Sequence, residues 1–383
     1  MKIEQHLSLD DLARTARKRL PKGVFGYVNG GAEDQKTLDR NASAFEEYGF
    51  RPRVLAGVAN RSTEIELFGT SYSIPIGIAP MGLSALCWHR GDLELARAAA
   101  AERVPFVLSA ASTEPMENIA GTAPGSWYQA YLGPDRSTIM SLLDRVTAAG
   151  ISVLVVTVDV PVAAQRENEI RNGFTVPLRI NRQLIQGGMT RPLWLFQNLL
   201  HTIISDGVPH FENFTAKRGG KIIAGVPSNI RSGRDALCWD DIEWIRSKWR
   251  GTLLIKGILH PSDAKRARDL GADGVIVSNH GGRQLDHTIA SLRALPAVAE
   301  AAKEMKVLFD GGVRRATHAL MARALGADLV LVGRPMMYGL AVAGSRGVRH
   351  ALNLLKKEIL VDLALLGCED INQLTPEYLQ KLR

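Results

Sequence analysis

Short apolar runs recur along the chain, and most of them are followed by a stretch with helical character. Continuous apolar runs are typical of strands buried on both faces of a parallel sheet, whereas strict alternation is typical of strands with one wet face. The runs in this chain are continuous, so they predict parallel strands. The eight predicted strands cover 74–80, 105–110, 126–132, 153–161, 253–258, 274–279, 307–312 and 329–335.

Helical segments lie between these strands, and three of them, 91–103, 261–271 and 314–326, end near a Gly or Pro as helices commonly do. Eight strand–helix units over about 260 residues predict a TIM (β/α)8 barrel of the α/β class. An open dinucleotide-binding sheet is the weaker alternative, because no G-x-G-x-x-G turn follows the first strand.

The spacing of the strands predicts the domain organisation. Strand starts are mostly 20–32 residues apart, but about 100 residues separate the fourth strand from the fifth, which locates a long insertion at 162–236. Residues 1–60 precede the barrel and are expected to form a helical lid over one end. The barrel is expected over 61–350 and C-terminal helices over 351–383, so that 1–383 form a single domain.

Composition narrows the class of protein. Hydrophobic residues are 46% and charged residues 22%, as in a soluble globular enzyme. The chain has no run of roughly 18 apolar residues that could span a bilayer, and its charged N-terminus lacks the apolar core of a secretory signal. Cys87, Cys238 and Cys368 lie far apart, so neither a disulfide framework nor a metal site is expected, and the cytoplasm is the expected compartment.

The net charge of +8 favours anionic partners. Nucleic acid is not expected among them, because no run of Lys and Arg is interleaved with aromatic residues. Ten Arg or Lys residues stand against five Asp or Glu residues in 162–236, so the insertion carries most of the excess charge.

Polar residues gather where the predicted strands end, and barrel enzymes carry their active sites at these carboxyl ends. Glycines and arginines follow strands seven and eight, at the usual phosphate corner of the fold. Glycines expose backbone N–H groups to an anion and arginines pair with phosphate. The alternative is a pair of glycine turns with solvated arginines. The predicted phosphate site consists of Asp310, Gly311, Gly312, Arg314, Gly333 and Arg334.

His280, just past the sixth strand, is the candidate general base, because a neutral imidazole can take a proton near pH 7. Asp159 on the fourth strand is the candidate carboxylate that orients it; a histidine satisfied in the core is the alternative. Lys256 on the fifth strand either pairs with a carboxylate or stabilises negative charge on a cofactor ring. Arg166 and Arg283 follow strands four and six and suit a bidentate clamp on a substrate carboxylate, with surface salt bridges as the alternative.

The segment SNHGGRQLD at 278–286 resembles the active-site signature of the FMN-dependent 2-hydroxy acid dehydrogenases and oxidases. The resemblance covers nearly the whole chain, and only 175–235 is loosely matched. One departure is Asn172-Gly173, where relatives often have Asn-Arg, and it concerns the lid rather than the chemistry. Further matching segments lie at 20–35, 157–161, 253–257, 309–315 and 331–335.

The resemblance implies FMN as the cofactor and a role for each matching residue. Tyr27 and Tyr131 resemble the tyrosines that bind the substrate carboxylate and hydroxyl, and His280 with Asp159 resembles the base and its partner. Lys256 resembles the lysine beside the flavin ring, and the phosphate site above would hold the ribityl phosphate. The remaining implied flavin contacts are Pro80, Met81, Gly82, Ser109, Gln129, Thr157 and Ser278.

The implied reaction removes the α-hydrogen of an (S)-2-hydroxy acid while FMN takes up two electrons and His280 takes a proton. Within the family, the chain is most similar to the branch of (S)-mandelate and L-lactate dehydrogenases. Gly82 and Ala111 are small, which favours an aromatic or large aliphatic substrate, with lactate or glycolate as the alternative. The expected electron acceptor is a quinone or another carrier. The competing functions are an oxidase or monooxygenase using O2 and a non-redox FMN barrel isomerase, and the implied assembly is a homotetramer.

The insertion contains an apolar segment, 192–204, with Leu193, Phe196, Leu200 and Ile203 at helical spacing and a stripe widened by Trp194, Leu195, Leu199 and Ile204. It is too short to span a bilayer but suits a helix lying in the membrane interface. Cationic residues flank it on both sides and would attract anionic lipid. The hypothesis is that 178–221 dock the enzyme on the inner face of the cytoplasmic membrane; the alternative is that the apolar stripe packs on the barrel or on a neighbouring subunit. The flanking cations are Arg179, Arg182, Arg191, Lys217, Arg218 and Lys221.

Overall fold

The barrel predicted from the apolar runs is present in the computed structural model, which describes residues 2–179, 181–224 and 233–382. Within these residues, eight parallel strands form one sheet in sequence order, and the last strand pairs with the first, with Val330 opposite Ile76. A parallel bridge from Ile78 to Phe106 closes the ring between the first and second strands. The strands are β1 (Ile76–Ile78), β2 (Val107–Ser109), β3 (Trp127–Ala130), β4 (Val153–Thr157), β5 (Thr252–Ile258), β6 (Gly274–Val277), β7 (Lys306–Asp310) and β8 (Leu329–Val332).

Some of the predicted segments extend beyond the described residues. Residues 1 and 383, at the ends of the predicted N-terminal and C-terminal segments, lie outside them. So do residue 180 and residues 225–232 of the predicted insertion.

The strands are continuous apolar runs because they are buried on both faces. Every residue of β4 and β6 is buried, with the barrel interior on one side and the surrounding helices on the other. Gly77 in β1 is small for a steric reason: a Cβ there would lie 2.8 Å from the side chain of Leu331 on β8. Continuous apolar runs therefore identified these strands, because burial on both faces removes the alternation of apolar and polar residues.

Helices connect the strands and surround the barrel. The predicted helices 91–103, 261–271 and 314–326 are confirmed, with ends that differ by at most two residues. Pro261 begins one of them in the first turn, where its missing N–H costs no hydrogen bond. The surrounding helices are Gly91–Glu102, Met116–Thr122, Arg136–Ala148, Trp239–Lys248, Pro261–Asp269, Ser291–Ala302, Ala316–Ala324 and Arg334–Leu366.

The N-terminal segment lies against the carboxyl ends of the strands. It contains the helices Leu9–Arg19, Lys22–Asn29 and Lys36–Ser43. The carboxylate of Asp286 accepts hydrogen bonds from the backbone N–H groups of Lys36 and Thr37, at 3.2 and 2.7 Å, and so caps the third helix. The last residue of the signature thereby attaches the N-terminal segment to the signature loop.

Short strands complete the described chain away from the barrel. Tyr48–Phe50 pairs antiparallel with Leu379–Lys381, and Ile65–Leu67 pairs antiparallel with Thr70–Tyr72. The first pairing joins the C-terminal residues to the segment that follows the N-terminal helices, and the second is a local hairpin.

The C-terminal region differs from the prediction. The expected border at 350 falls inside the helix Arg334–Leu366, whose backbone leaves the helical conformation at Ala343 and Gly344. The helix ends at Gly367, which takes the left-handed conformation (φ +67°) that glycine adopts without strain. Beyond Leu366, the described chain contains only two short 3-10 helices, Ile371–Gln373 and Pro376–Tyr378, and then the strand Leu379–Lys381.

The insertion is helical where the apolar segment predicted a helix. Helical structure runs through Pro192–Trp194, a π-helical turn at Leu195–Leu200 and His201–Asp206. Two further helices, Glu167–Arg171 and Arg182–Met189, precede it. No helix in the described parts of the chain is both long and apolar enough to cross a membrane.

The helix at 192–206 turns a face with both polar and apolar residues inward. Trp194, Asn198 and Thr202 are buried, and Asn198 Nδ2 donates to the carbonyl oxygens of Ala85 and Leu86 at 3.0 and 3.1 Å. Four members of the apolar stripe point away from the barrel: Leu193 is 56% exposed, Phe196 64%, Ile203 43% and Ile204 81%. Three other members, Trp194, Leu195 and Leu199, pack against the core. Packing of the stripe on the chain's own barrel, one of the alternatives above, is therefore correct for these three residues and wrong for the four exposed ones.

Candidate active site

A cavity of about 520 Å³ opens at the carboxyl ends of the barrel strands. It gathers residues from the N-terminal segment, the strand ends and the insertion. Asp159 and Ser278 are the predicted site residues that do not line it; they lie behind its wall, hydrogen-bonded to residues that do. The predicted residues that line the cavity are Tyr27, Pro80, Met81, Gly82, Ser109, Ala111, Gln129, Tyr131, Thr157, Arg166, Lys256, His280, Arg283, Asp310, Gly311, Gly312, Arg314, Gly333 and Arg334.

His280 and Asp159 form the expected pair. His280 Nδ1 lies 2.9 Å from Asp159 Oδ1. Burial lowers the pKa of His280 below its ordinary value, although the Asp159 carboxylate acts in the opposite direction. Burial acts to raise the pKa of Asp159, but the charges of His280 and Lys256 outweigh it and the pKa is lowered. An ionised Asp159 accepts the Nδ1 proton, so Nε2 of a neutral His280 carries the lone pair that can take a proton.

The two predicted tyrosines both line the cavity and come from different elements. Tyr131 directly follows β3, and its hydroxyl lies 3.4 Å from His280 Nε2. Tyr27 comes from the helix Lys22–Asn29, and its hydroxyl donates to the Gly82 carbonyl oxygen at 3.3 Å. Burial raises the pKa of Tyr27 to about 12, so both phenol groups stay protonated at neutral pH and can donate hydrogen bonds.

Lys256 is paired with a carboxylate and also faces the cavity. Its ammonium group donates to Ser278 Oγ at 2.8 Å and lies 3.2 Å from Asp310 Oδ2. Burial acts to lower the pKa of Lys256, but Asp310 and Asp159 outweigh it, so the pKa lies above its ordinary value. The predicted pairing with a carboxylate is present, and Lys256 also lines the cavity. Its stabilisation of negative charge on a cofactor ring stays a prediction.

Ser278 organises this region from behind. It is fully buried, and its hydroxyl accepts hydrogen bonds from Lys256 Nζ and from the His280 backbone N–H while it donates to Asp310 Oδ1 at 2.6 Å. A hydroxyl has one donor and two acceptor positions, and all three are used. Ser278 therefore holds the lysine and the histidine in place, and its position beside a bound flavin stays a prediction.

The phosphate corner is assembled as predicted. Gly311 and Gly312 have φ angles of +121° and +78°, which side-chain-bearing residues rarely adopt. Arg314 and Arg334 lie beside them at the cavity. Burial, with Arg283 and Arg314 nearby, lowers the pKa of Arg334 to about 9, so it remains cationic at neutral pH. Positive side chains and left-handed glycines together suit a phosphate.

The signature loop folds over these groups. His280, Gly281 and Gly282 all have positive φ, and a Cβ on Gly282 would lie 2.6 Å from the backbone nitrogen of Leu38. Asn279 exchanges two side-chain hydrogen bonds with Asn41, at 2.7 and 2.8 Å, and both residues are buried. The glycines thus permit a close contact with the N-terminal segment, which aims the His280 ring into the cavity.

Arg166 and Arg283 are both at the cavity and are mostly buried, so the alternative of solvated surface salt bridges does not describe them. Arg166 donates from Nη2 to Gln284 Oε1 at 3.1 Å. The Arg283 guanidinium lies 4.9 Å from the centre of the Tyr27 ring. The two guanidinium groups also share the carboxylate of Glu169.

Sequence reasoning missed several residues of the insertion that line the cavity. Glu169 could have been predicted, because it lies three residues after Arg166, and side chains at this spacing contact each other on a helix. Phe211, Phe214 and Arg234 had no such signal, because no predicted strand or motif places them near the site. The Arg234 guanidinium lies 4.8 Å from the centre of the Tyr131 ring.

Comparison with known proteins agrees with this geometry. The sequence profile of the family described as FMN-dependent dehydrogenase matches residues 16–381. The L-lactate dehydrogenases of Ectopseudomonas mendocina and Alcaligenes faecalis are each 41% identical to the chain over 378 residues, covering 97% of this chain and 98% of theirs. This chain therefore belongs to the FMN-dependent dehydrogenase family, as the signature indicated.

Solved structures point to the same family. The crystal structure of the monotopic membrane protein (S)-mandelate dehydrogenase is similar with a TM-score of 0.90 and 36% identity, over 98% of this chain and 99% of that one. A mandelate oxidase variant with (S)-mandelic acid is similar with a TM-score of 0.81 and 32% identity, over 98% of both chains.

The cavity fits FMN. Gln129 Nε2, Thr157 Oγ1 and Arg334 Nε are buried and have no hydrogen-bond partner within the described residues. Ser109 donates to Gln129 Oε1 at 3.1 Å, which fixes the orientation of that amide. A flavin ring offers the polar edge that Gln129 and Thr157 need, and a phosphate offers the charge that the arginines need. Lys256, Gln129 and Thr157 would hold the ring end and the Gly311–Arg334 corner would hold the phosphate end.

Proposed function

We propose that this enzyme oxidises (S)-2-hydroxy acids at the hydroxyl-bearing carbon to 2-oxo acids. The observation that carries the proposal is the common cavity of His280, backed by Asp159, and the two arginines Arg166 and Arg283. A base beside two guanidinium groups suits a substrate with a proton to lose and a carboxylate to hold. Bound FMN supplies the two-electron acceptor for this reaction.

The protein's own groups perform the remaining steps. The arginines bind the substrate carboxylate, and Tyr131 donates a hydrogen bond beside His280 Nε2. His280 accepts a proton at Nε2 and becomes an imidazolium ion. Asp159 stabilises that ion through the Nδ1 hydrogen bond of 2.9 Å, which is already formed before the reaction. An opposite charge that is already in place stabilises the developing positive charge, and this lowers the activation barrier without reorganisation of the site.

The substrate is proposed to carry an aromatic or large aliphatic side chain. Gly82 and Ala111 leave space on one side of the cavity, and Phe211 and Phe214 give it an aromatic wall. A Cβ on Gly82 would lie 2.7 Å from the Ala111 methyl group, so these two small residues are packed to accommodate each other. Lactate is the second candidate, because curated relatives at 41% identity are L-lactate dehydrogenases.

Anaerobic flavin reduction tests the function and the substrate together. The FMN-loaded protein is mixed with (S)-mandelate, (S)-2-hydroxyoctanoate, (S)-lactate or glycolate, and bleaching of the flavin absorbance is followed. A larger kcat/KM for mandelate than for lactate is expected; the reverse order would establish lactate as the preferred substrate. An enzyme whose flavin none of these acids bleaches would not be a 2-hydroxy acid dehydrogenase.

Electrons are proposed to pass to a quinone or another carrier. Admission of air and, separately, of a soluble ubiquinone analogue to the bleached enzyme distinguishes the acceptors. Slow recovery in air with fast recovery by the quinone is expected. Fast recovery in air with peroxide formation would identify an oxidase instead.

The segment 178–221 is proposed to dock on the inner face of the cytoplasmic membrane. Within its described residues, the exposed apolar side chains of the helix at 192–206 are joined by Ile185 and Met189, which are 53% and 71% exposed. The flanking cations each contribute roughly 1 kcal/mol near an anionic surface. Contact with a second copy of the chain, in the implied homotetramer, is the other arrangement that would cover this surface.

Vesicle binding separates these arrangements. The full chain is centrifuged with phosphatidylglycerol-containing vesicles at low salt, alongside the double variant Phe196→Ser, Ile204→Ser. Val361→Ser is the matched control, because Val361 is also exposed (52%) but lies on the helix Arg334–Leu366. The parent and control should pellet and the double variant should not. Failure of the parent to pellet, with a smaller oligomer in the double variant, would assign the surface to a subunit contact.

A further inference from the structure

A carboxylate lies between the two substrate-clamping arginines. Glu169 Oε1 accepts a hydrogen bond from Arg283 Nη2 at 2.8 Å and lies 3.7 Å from Arg166 Nη1. Glu169 is 8% exposed and lines the cavity. The three groups form a buried set in which one negative charge faces two positive charges.

Glu169 is held rigidly. It belongs to the short helix Glu167–Arg171, and Asn168 on this helix donates from Nδ2 to the Gly26 carbonyl oxygen at 3.1 Å. A Cβ on Gly30 would lie 2.4 Å from Asn168 Nδ2, so glycine at this position permits the close contact with the helix Lys22–Asn29. The carboxylate therefore has a fixed position relative to the cavity wall.

Glu169 in turn fixes Arg283. A guanidinium group has five N–H donors. Two hydrogen bonds from Arg283 Nη1 reach the carbonyl oxygens of Tyr27 and Gly30, at 2.6 and 3.1 Å, and Nη2 donates to Glu169. These three bonds orient the plane of the guanidinium group and leave two N–H groups for a substrate carboxylate.

The charge of Glu169 also limits how tightly carboxylates bind. Substrate and product carry the same carboxylate, so excess positive charge would bind both more tightly without favouring the transition state. Together, Glu169 and the two guanidinium groups carry one net positive charge, which matches the one negative charge of the ligand.

We propose that Glu169 is a positioning residue that orients Arg283 and cancels one of the two clamp charges, so that the 2-oxo acid product can leave. This inference rests on the proposed function, because it assumes that the arginines bind the carboxylate of a 2-hydroxy acid. It adds a second requirement to the clamp: a neutralising partner built into the insertion.

Three variants separate the two parts of this role. Glu169→Gln keeps an oxygen that accepts from Arg283 but removes the charge, and Glu169→Asp keeps the charge. Glu169→Ala removes both. Glu167→Gln is the matched control, since Glu167 lies on the same helix but is exposed and pairs with Arg171.

The Kd values of phenylglyoxylate and pyruvate are measured by perturbation of the flavin absorbance of each holoenzyme. Removal of one unit charge from this partly buried site should lower the Kd roughly tenfold or more in Glu169→Gln. KM should fall in parallel, while the limiting rate of flavin reduction changes less than threefold. Glu169→Asp should bind close to the parent, and Glu169→Ala should lose reduction rate because Arg283 is no longer oriented.

Several results would overturn the inference. One is an unchanged or higher Kd in Glu169→Gln. Another is loss of FMN from both Glu169→Gln and Glu169→Asp while Glu167→Gln retains it, since Glu169 would then be needed only for folding. The titration with 2-oxo acids needs no turnover, so it distinguishes this failure from failure of the proposed function, in which no 2-hydroxy acid would bleach the parent flavin.

Discussion

Replacement of Asp159 by Asn tests whether the His280–Asp159 pair carries the proton transfer. The 2.9 Å bond between Nδ1 and Oδ1 joins groups that are both mostly buried. A hydrogen bond to a charged partner contributes about 1.5–3 kcal/mol, and a neutral one about 1 kcal/mol. Opposite unit charges at 4 Å and an effective dielectric constant near 20 attract by about 4 kcal/mol. The imidazolium ion should therefore lose about 2–4 kcal/mol of stabilisation, which slows flavin reduction by about 30- to 1000-fold.

Asp159→Asn should also shift the pH dependence of kcat/KM, through the pKa of His280. Proton uptake needs neutral His280, so kcat/KM falls as the pH drops below the pKa of this group. The Asp159 carboxylate favours the charged form and raises that pKa against the effect of burial. In Asp159→Asn the pKa should fall further, so the acidic limb moves to lower pH while the plateau drops.

Stopped-flow measurement of flavin reduction across pH 5–9 reports both quantities. Asp144→Asn serves as the control, because Asp144 is exposed on the helix Arg136–Ala148. The reasoning would be refuted by a plateau within threefold of the parent, or by an acidic limb that moves to higher pH. Either result would mean that another group stabilises the proton on His280.

Four further outcomes are expected. His280→Ala should retain FMN but lose about 10²–10⁴-fold in flavin reduction; near-normal turnover would assign the base elsewhere. Lys256→Ala should weaken both FMN retention on gel filtration and flavin reduction, because it leaves Asp310 without its cation. Arg283→Lys should raise KM, since lysine keeps the charge but loses the planar fork, and a substrate ester turned over as well as its acid would contradict the clamp. Asp286→Ala should lower the free energy of unfolding by about 1–2 kcal/mol through loss of two bonds to the helix Lys36–Ser43, and an unchanged melting temperature would argue against that capping role.

The barrel and most of its site could be predicted because one physical constraint produces both. Strands buried on two faces must be continuously apolar, so a polar residue at the end of such a run is conspicuous. The carboxyl ends of all eight strands meet at one rim, so residues as distant in sequence as Tyr131 and His280 are brought within 3.4 Å. No knowledge of side-chain geometry is needed for that step.

The residues that the prediction missed belong to segments without this constraint. Phe211, Phe214 and Arg234 reach the cavity from an insertion whose path no strand order dictates. Ser278 shows a second limit: its place in the signature was clear, but its hydrogen bonds with Lys256, His280 and Asp310 depend on side-chain packing. The predicted C-terminal border at 350 missed the break in the helix at Ala343 and Gly344, because this break depends on backbone packing and not on a change in the pattern of apolar residues.

The helix at 192–206 shows why an amphipathic pattern does not by itself say which face is buried. The predicted stripe divides between two faces: Leu193, Phe196, Ile203 and Ile204 point outward, whereas Trp194, Leu195 and Leu199 pack against the core. The polar residues Asn198 and Thr202 also face the protein. Asn198 and Trp194 donate to the backbone carbonyl groups of Ala85 and Leu86, which a purely apolar contact would leave unpaired. The polar groups on the inward face therefore satisfy carbonyl groups at the barrel rim. The exposed side chains of Leu193, Phe196, Ile203 and Ile204 remain without a contact in the described chain that would bury them. Because exposed apolar surface in water is unfavourable, this orientation itself favours a covering partner, which is the physical basis for the proposed docking surface.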